Sequence, residues 1–238
     1  MSQIKPNISL SEIEKFNGFS TDWWDESGRM KSLHDINPLR LEYIMLKTHL
    51  KGKRVLDVGC GGGILTEQIA MQDAVTTGID ASDHMITIAR SHAKKSNLDI
   101  QYINTDIEHI TRFTKKGFDV ILCMELLEHV PDYESVILAC KNVLNPGGII
   151  IFATINRNLL SFMLAIVCAE YVLGLLPKGT HDYSSLIKPA ELNRTCLGTG
   201  LKNFDITGFS YNPLSQKYYF CKNSLVNYLA SFKSEPCI

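Results

Sequence analysis

The sequence predicts an α/β fold: a mostly parallel, seven-stranded sheet with an antiparallel edge strand and helices on both faces. Three observations predict it. From residue 53 onward, apolar runs of strand length alternate with amphipathic stretches of helix length, the pattern of parallel strands joined by crossover helices. The first run passes through an acid into a cluster of four glycines. The chain then closes with two strand-like runs joined by a loop containing Asn212 and Pro213.

The first strand, residues 53–58, is a buried parallel run that enters Gly59, Gly61, Gly62 and Gly63, where the backbone turns tightly and approaches a ligand without Cβ clashes. Residues 64–71 have helical character, so the unit is strand, glycine turn, helix. A second strand, 74–79, ends in Asp80, and an amphipathic segment at 82–95 begins near Ser82 and Asp83. Strands follow at 100–104 and 118–123, then a helix at 132–144 capped by Asp132. Pro146, Gly147 and Gly148 lead into a strand at 149–153, and the closing pair is 203–209 and 216–222. A chain of 238 residues with 45% apolar content suits one domain, here 1–238, with residues 1–50 as an N-terminal helical cap and 157–187 as an apolar helical insertion near the substrate entrance.

Composition excludes several classes. A formal net charge of −1, with lysines and arginines in short scattered clusters, gives no footprint for nucleic acid. Seven cysteines, an odd number with no Cys-x-x-Cys pair, point to reduced thiols in the cytoplasm and to neither zinc nor a disulfide framework. The first residues lack the apolar core of a secretion signal.

In an open α/β sheet, ligands lie outside the carboxyl ends of the strands. That rule selects Asp57, Gly59 and Gly61 after the first strand, Asp80 after the second, Asp106 after the third, Met124, Glu125, Glu128 and His129 after the fourth, and Asn156 and Arg157 after the fifth. No Lys-Ser or Lys-Thr follows the glycines, so the phosphate-binding P-loop is excluded, and Ile64 stands where a dinucleotide fingerprint wants glycine. Asp57 repels pyrophosphate and suits a cationic group, while Asp80 is spaced to accept from ribose hydroxyls. S-adenosylmethionine has a ribose, a cationic amino-acid tail and no phosphate. Asp106 is a candidate acceptor for the adenine amino group or a helix cap, and Met124 a candidate apolar wall for the adenine or a core residue. The pattern resembles motif I and the acidic second-strand end of the Rossmann-like class I methyltransferases.

Glu125, Glu128 and His129 stand at i, i+3 and i+4, so on a helical turn all three project to one side. Such a cluster beside a methyl donor can act as general base toward a phenolic hydroxyl, or hold a Mg²⁺ that binds two neighbouring substrate oxygens. The bland alternative is that this segment shapes the entry to the next helix.

A more specific resemblance covers residues 10–230. The segments FSTDWWD at 19–25, LHDINPLR at 33–40, CMELLEHV at 123–130, NRN at 156–158, PKGTHD at 177–182, IKPAEL at 187–192 and TGFSYNP at 207–213 are similar to the ubiquinone-biosynthesis O-methyltransferases. The resemblance implies S-adenosylmethionine-dependent O-methylation of polyprenyl phenol and catechol intermediates at both O-methylation steps. It implies Arg40, Gly59, Asp80 and Met124 as methyl-donor contacts, with Arg40 on the carboxylate. It also implies divalent metal at Glu125, Glu128 and His129, and makes His181 a second candidate for the substrate hydroxyl. Competing readings are a quinone-pathway C-methyltransferase and a non-catalytic subunit that binds the methyl donor within a complex of other ubiquinone-biosynthesis proteins.

Residues 159–176 are apolar enough to raise the question of a membrane span. A helix of this length reaches ~27 Å against a hydrocarbon core of ~30 Å. Glu170 near its middle is unfavourable there, and a single crossing between two strands of one sheet splits the domain across the bilayer. The expectation is a helix that covers the sheet or dips into an anionic membrane surface between Arg157 and Lys178. That places the protein in the cytoplasm, peripherally associated with the inner face of the plasma membrane.

Overall fold

The computed structural model describes residues 7–19, 22–161 and 183–235. The helices are α1 (Leu10–Asn17), α2 (Lys31–Lys47), α3 (Ile64–Ala70), α4 (Asp83–Lys95), α5 (Tyr133–Val143), the single turn α6 (Leu159–Ser161) and α7 (Pro189–Gly198). The strands are β1 (Arg54–Val58), β2 (Val75–Asp80), β3 (Gln101–Asn104), β4 (Phe118–Met124), β5 (Leu144–Ile155), β6 (Lys202–Asn212), β7 (Lys217–Cys221) and β8 (Asn227–Lys233).

They form one sheet in the order β3-β2-β1-β4-β5-β8-β6-β7. The first five strands pair in parallel, whereas β8 runs antiparallel between β5 and β6, and β7 is an antiparallel edge on β6. The sheet therefore has eight strands, not the expected seven. The missed strand is β8, whose centre contains Ala230 and Ser231, small residues with weak strand preference. Pairing on both sides and burial on both faces make it a strand nonetheless.

Alternation along the strands splits the core in two. Leu56, Val58, Ile121, Cys123 and Phe152 face one side, with Val136, Ile137 and Cys140 of α5 and Leu192 and Cys196 of α7. Val55, Val120, Leu122, Ile149 and Ile151 face the other, under Ile36, Leu39, Tyr43 and Ile44 of α2 and Leu65 and Ile69 of α3. Tyr43 ties α2 to the distal half of the sheet, donating its hydroxyl to Asp205 at 2.8 Å.

The N-terminal segment straps across the carboxyl ends of the strands. Ser9 caps α1, Asn7 bonds both Glu108 and the backbone of Asp132, and the Ser82 hydroxyl donates to Asn17 at 2.6 Å. Among the described residues no helix is long and apolar enough to cross a membrane. The apolar insertion lies outside the described residues beyond Ser161, as does His181.

Candidate functional site

Beneath the strap lies a cavity of about 500 Å³ at the carboxyl ends of β1, β2 and β4. Among the residues expected at the site, it is lined by Arg40, Asp57, Gly59, Gly61, Asp80, Asp106, Met124, Glu125 and His129. Glu128 does not line it.

The glycine turn is built around Asp80. One carboxylate oxygen accepts from the Gly61 N–H at 2.9 Å and the other from the Ser82 N–H at 2.8 Å, so the turn after β1 and the start of α4 are held by one side chain. Gly61 has φ +51°, and a Cβ there meets the Trp23 indole at 2.5 Å, so alanine is opposed by both conformation and space. Burial raises the Asp80 carboxyl above its ordinary value, and the two N–H bonds hold it down.

Asp57 is buried at the end of β1 and accepts from the Thr66 hydroxyl at 2.6 Å. Burial pushes its pKa up to about 6, with Thr66 and the Arg40 guanidinium opposing the rise and Asp80 adding to it. Arg40, 7% exposed on α2, pairs with Glu125 at 3.2 Å. Glu125 follows β4 in the left-handed region, at φ +52°, a conformation a non-glycine residue adopts at a cost. Its N–H is fixed to the Ala153 carbonyl of β5 at 2.9 Å.

Of the two roles the sequence left open for Asp106, the helix cap is seen: its carboxylate caps the 3-10 helix Ile107–Arg112 through the His109 N–H, and the residue also borders the cavity. Met124, 8% exposed, is a core residue that also borders the cavity.

The acidic cluster corrects the expectation. Residues Leu127–His129 form one 3-10 turn, and Glu125 stands outside it, so i, i+3 and i+4 do not share a face. Glu125 turns to Arg40, Glu128 is buried and accepts from the Thr154 hydroxyl at 2.9 Å, and His129 meets Glu12 of α1 at 2.7 Å. Burial and the neighbouring Glu125 push the Glu128 carboxyl well above the ordinary carboxylate range, a direction that disfavours the ionised form a metal ligand needs. Among the described residues no group of three His, Cys, Asp or Glu is placed to hold a metal ion. Glu125, Glu128 and His129 therefore do not fit Mg²⁺.

The arrangement also contains residues the sequence reading passed over. Glu12 orients His129 through Nδ1 at 2.7 Å. The His129 hydrogen bond holds the Glu12 carboxyl below its usual range even against partial burial. Tyr211 and Tyr218, with ring centroids 5.0 Å apart, wall the cavity from β6 and β7. The aromatic content of 209–220 was a visible signal; Glu12, 117 positions from His129, had none.

A methyltransferase-domain family model matches residues 49–196. Magnesium protoporphyrin IX methyltransferase from Synechocystis PCC 6803, solved with bound S-adenosylhomocysteine (SAH), superposes with a TM-score of 0.68 over 93% of this chain and 97% of that one, at 16% identity. The N-methyltransferase NodS from Bradyrhizobium japonicum WM9, also with SAH, gives 0.63 over 94% and 98%, at 18% identity. Sheet order, glycine turn and the acid ending β2 thus belong to a class I methyltransferase fold. A Coxiella burnetii (strain CbuK_Q154) ubiquinone biosynthesis O-methyltransferase is 48% identical over 235 residues, covering 99% of this chain and all of the relative. The Pasteurella multocida (strain Pm70) protein of the same name is 49% identical, covering 95% and 98%. The chain belongs to the ubiquinone biosynthesis O-methyltransferase family.

Proposed function

We propose that this chain transfers the methyl group of S-adenosylmethionine to a hydroxyl of polyprenyl phenol and catechol intermediates, at both O-methylation steps of ubiquinone biosynthesis. The observation that carries the reading is the lining of the cavity beneath the N-terminal strap. It offers Asp80, Asp57 and Arg40 to a ribose and an amino-acid tail, and the same lining offers a Glu12–His129 dyad and the Tyr211 and Tyr218 rings to a phenol. The names of the close relatives and the SAH in the fold neighbours support it.

The residues take these roles. Asp80 accepts from the ribose hydroxyls, Gly59 and Gly61 let the backbone approach, Met124 and Asp106 border the adenine, and Arg40 meets the carboxylate. His129, oriented by Glu12, removes the phenolic proton as the oxygen attacks the methyl carbon; the carbon–sulfur bond breaks and SAH leaves neutral at sulfur. Alignment of oxygen, carbon and sulfur supplies the larger share, ~7–11 kcal/mol, against ~10²–10⁴-fold from the base. Incubation with S-adenosylmethionine and a short-chain catechol will give a methyl ether, and His129→Ala will lower kcat about 100-fold without weakening SAH binding. A methyl group found on carbon, or no turnover, overturns the reading.

The buried Asp57 gives a pH signature. Its folded-state pKa of about 6 lies above the ordinary value of ~3.9, so between these limits the folded chain holds a proton the unfolded chain has lost. The stability contribution of Asp57 accordingly declines as pH rises through this window. A cationic amino-acid tail favours the ionised form, so SAH affinity, measured by calorimetry, will rise from pH 5.5 to 7.5. Asp57→Asn will flatten that slope; an unchanged slope refutes the role.

The domain works as a single unit, with residues 1–50 as a cap, in the cytoplasm against an anionic membrane that holds the polyprenyl tail. Exposed Leu159, Leu160 and Leu225 support this, because Leu225 adjoins Val226 and Asn227 of the cavity wall. Anionic vesicles will co-sediment the chain, and Phe162→Asp with Leu164→Asp will reduce the bound fraction severalfold. Equal sedimentation of a folded variant excludes the insertion from lipid contact.

A further inference from the structure

Five buried side-chain polar atoms have no hydrogen-bond partner among the described residues, and three of them belong to residues lining the cavity: Trp23 Nε1, Asn37 Oδ1 and Arg40 Nε. The other two, Tyr102 Oη and Glu128 Oε1, belong to residues that do not line it. Trp23, Asn37 and Arg40 are 6%, 5% and 7% exposed, so water does not readily complete these bonds. A buried polar group left unpaired is costly, and three gathered on one wall call for a ligand that pairs them.

Their chemistry specifies that ligand. Asn37 and Arg40 stand at i and i+3 on α2 and so share a helix face. The Asn37 Nδ2 donates to the Ile64 carbonyl at 3.2 Å, which fixes the amide and leaves Oδ1 as an acceptor. Arg40 commits one terminal nitrogen to Glu125 and retains Nε–H as a donor. The Trp23 indole lies across Gly61 and Gly62, so its N–H sits beside the turn that Asp80 anchors. The set is two donors and one acceptor, all on residues that line the cavity. A phosphate satisfies the donors and leaves Asn37 Oδ1 unpaired; an α-amino acid satisfies all three.

Resting on the methyltransferase reading above, we propose that Trp23 and Asn37 complete, with Arg40, a subsite for the zwitterionic amino-acid end of the methyl donor. The Trp23 and Arg40 N–H groups take the carboxylate, and Asn37 Oδ1 accepts from the α-ammonium. The first 40 residues thereby select a ligand bearing an intact amino acid over a bare nucleoside thioether.

Titration calorimetry with SAH and with 5′-methylthioadenosine, which lacks the amino acid, tests this directly. Trp23→Phe keeps the ring over the glycines and removes only the donor, and Asn37→Leu removes the acceptor. Each will weaken SAH binding about tenfold, the loss of one hydrogen bond to a charged group, and leave methylthioadenosine binding unchanged. Unchanged SAH affinity in Trp23→Phe, or equal weakening of both ligands, overturns the subsite while the methyltransferase reading stands. A wild-type chain that binds neither ligand overturns both.

Discussion

Gly61→Ala will lower SAH affinity about 100-fold, roughly 2.7 kcal/mol, and will lower the melting temperature as well. Two independent penalties act at this position. The left-handed backbone, φ +51°, costs an alanine ~1–2 kcal/mol. The new methyl also lies 2.5 Å from the Trp23 indole, which has to move. Displacing the indole disturbs the turn whose N–H is held by Asp80, so binding suffers beyond stability. Gly62→Ala, which meets the same indole at 2.3 Å with φ outside the left-handed range, isolates the steric part. Gly198→Ala meets nothing within 4 Å and serves as the neutral comparison. Calorimetry and thermal melting read both effects, and a Gly61→Ala chain with wild-type affinity refutes the account.

Arg40→Leu will destabilise the fold by about 2 kcal/mol and weaken SAH binding at least tenfold. Breaking a fully buried ion pair by removing one partner costs ~3–5 kcal/mol, and the smaller figure reflects a Glu125 side chain that is 21% exposed. The loss leaves Glu125 in its left-handed conformation without its cation, and it removes the charge that opposes the upward shift of Asp57. Arg40→Lys will not restore binding, because one ammonium cannot reproduce the guanidinium fork. In a double-mutant cycle with Glu125→Gln, the stability losses will be less than additive. Strict additivity in urea denaturation would show that the pair does not matter.

Much of this molecule was legible because its signals are local. The alternation of apolar and amphipathic runs gave the first five strands and the helices between them, since period and length are properties of adjacent residues. The glycine turn and Asp80 were found by the same logic, because the carboxyl ends of parallel strands converge in any open sheet of this kind. The helix cap at Asp132 was equally readable, whereas α4, for which Asp80 was the candidate cap, is capped by the Ser82 side chain.

Where the reading failed, distance or local geometry was the cause. The cluster of Glu125, Glu128 and His129 assumed an α-helical turn, and a tight 3-10 turn preceded by a left-handed residue sends the three side chains to Arg40, Thr154 and Glu12. Strand β8 has a weak strand signal at Ala230 and Ser231 and is held by pairing with β5 on one side and β6 on the other. Local patterns in the sequence sufficed for the five parallel strands, the glycine turn, the acids beside it and, through its motifs, the family. The folded chain alone shows which carboxyls burial shifts upward, which histidine a carboxylate orients, and which buried polar atoms lack a partner among the described residues. Those properties depend on burial and on partners far away in the chain, such as Glu12 for His129 and Trp23 for Gly61, and no local pattern records them.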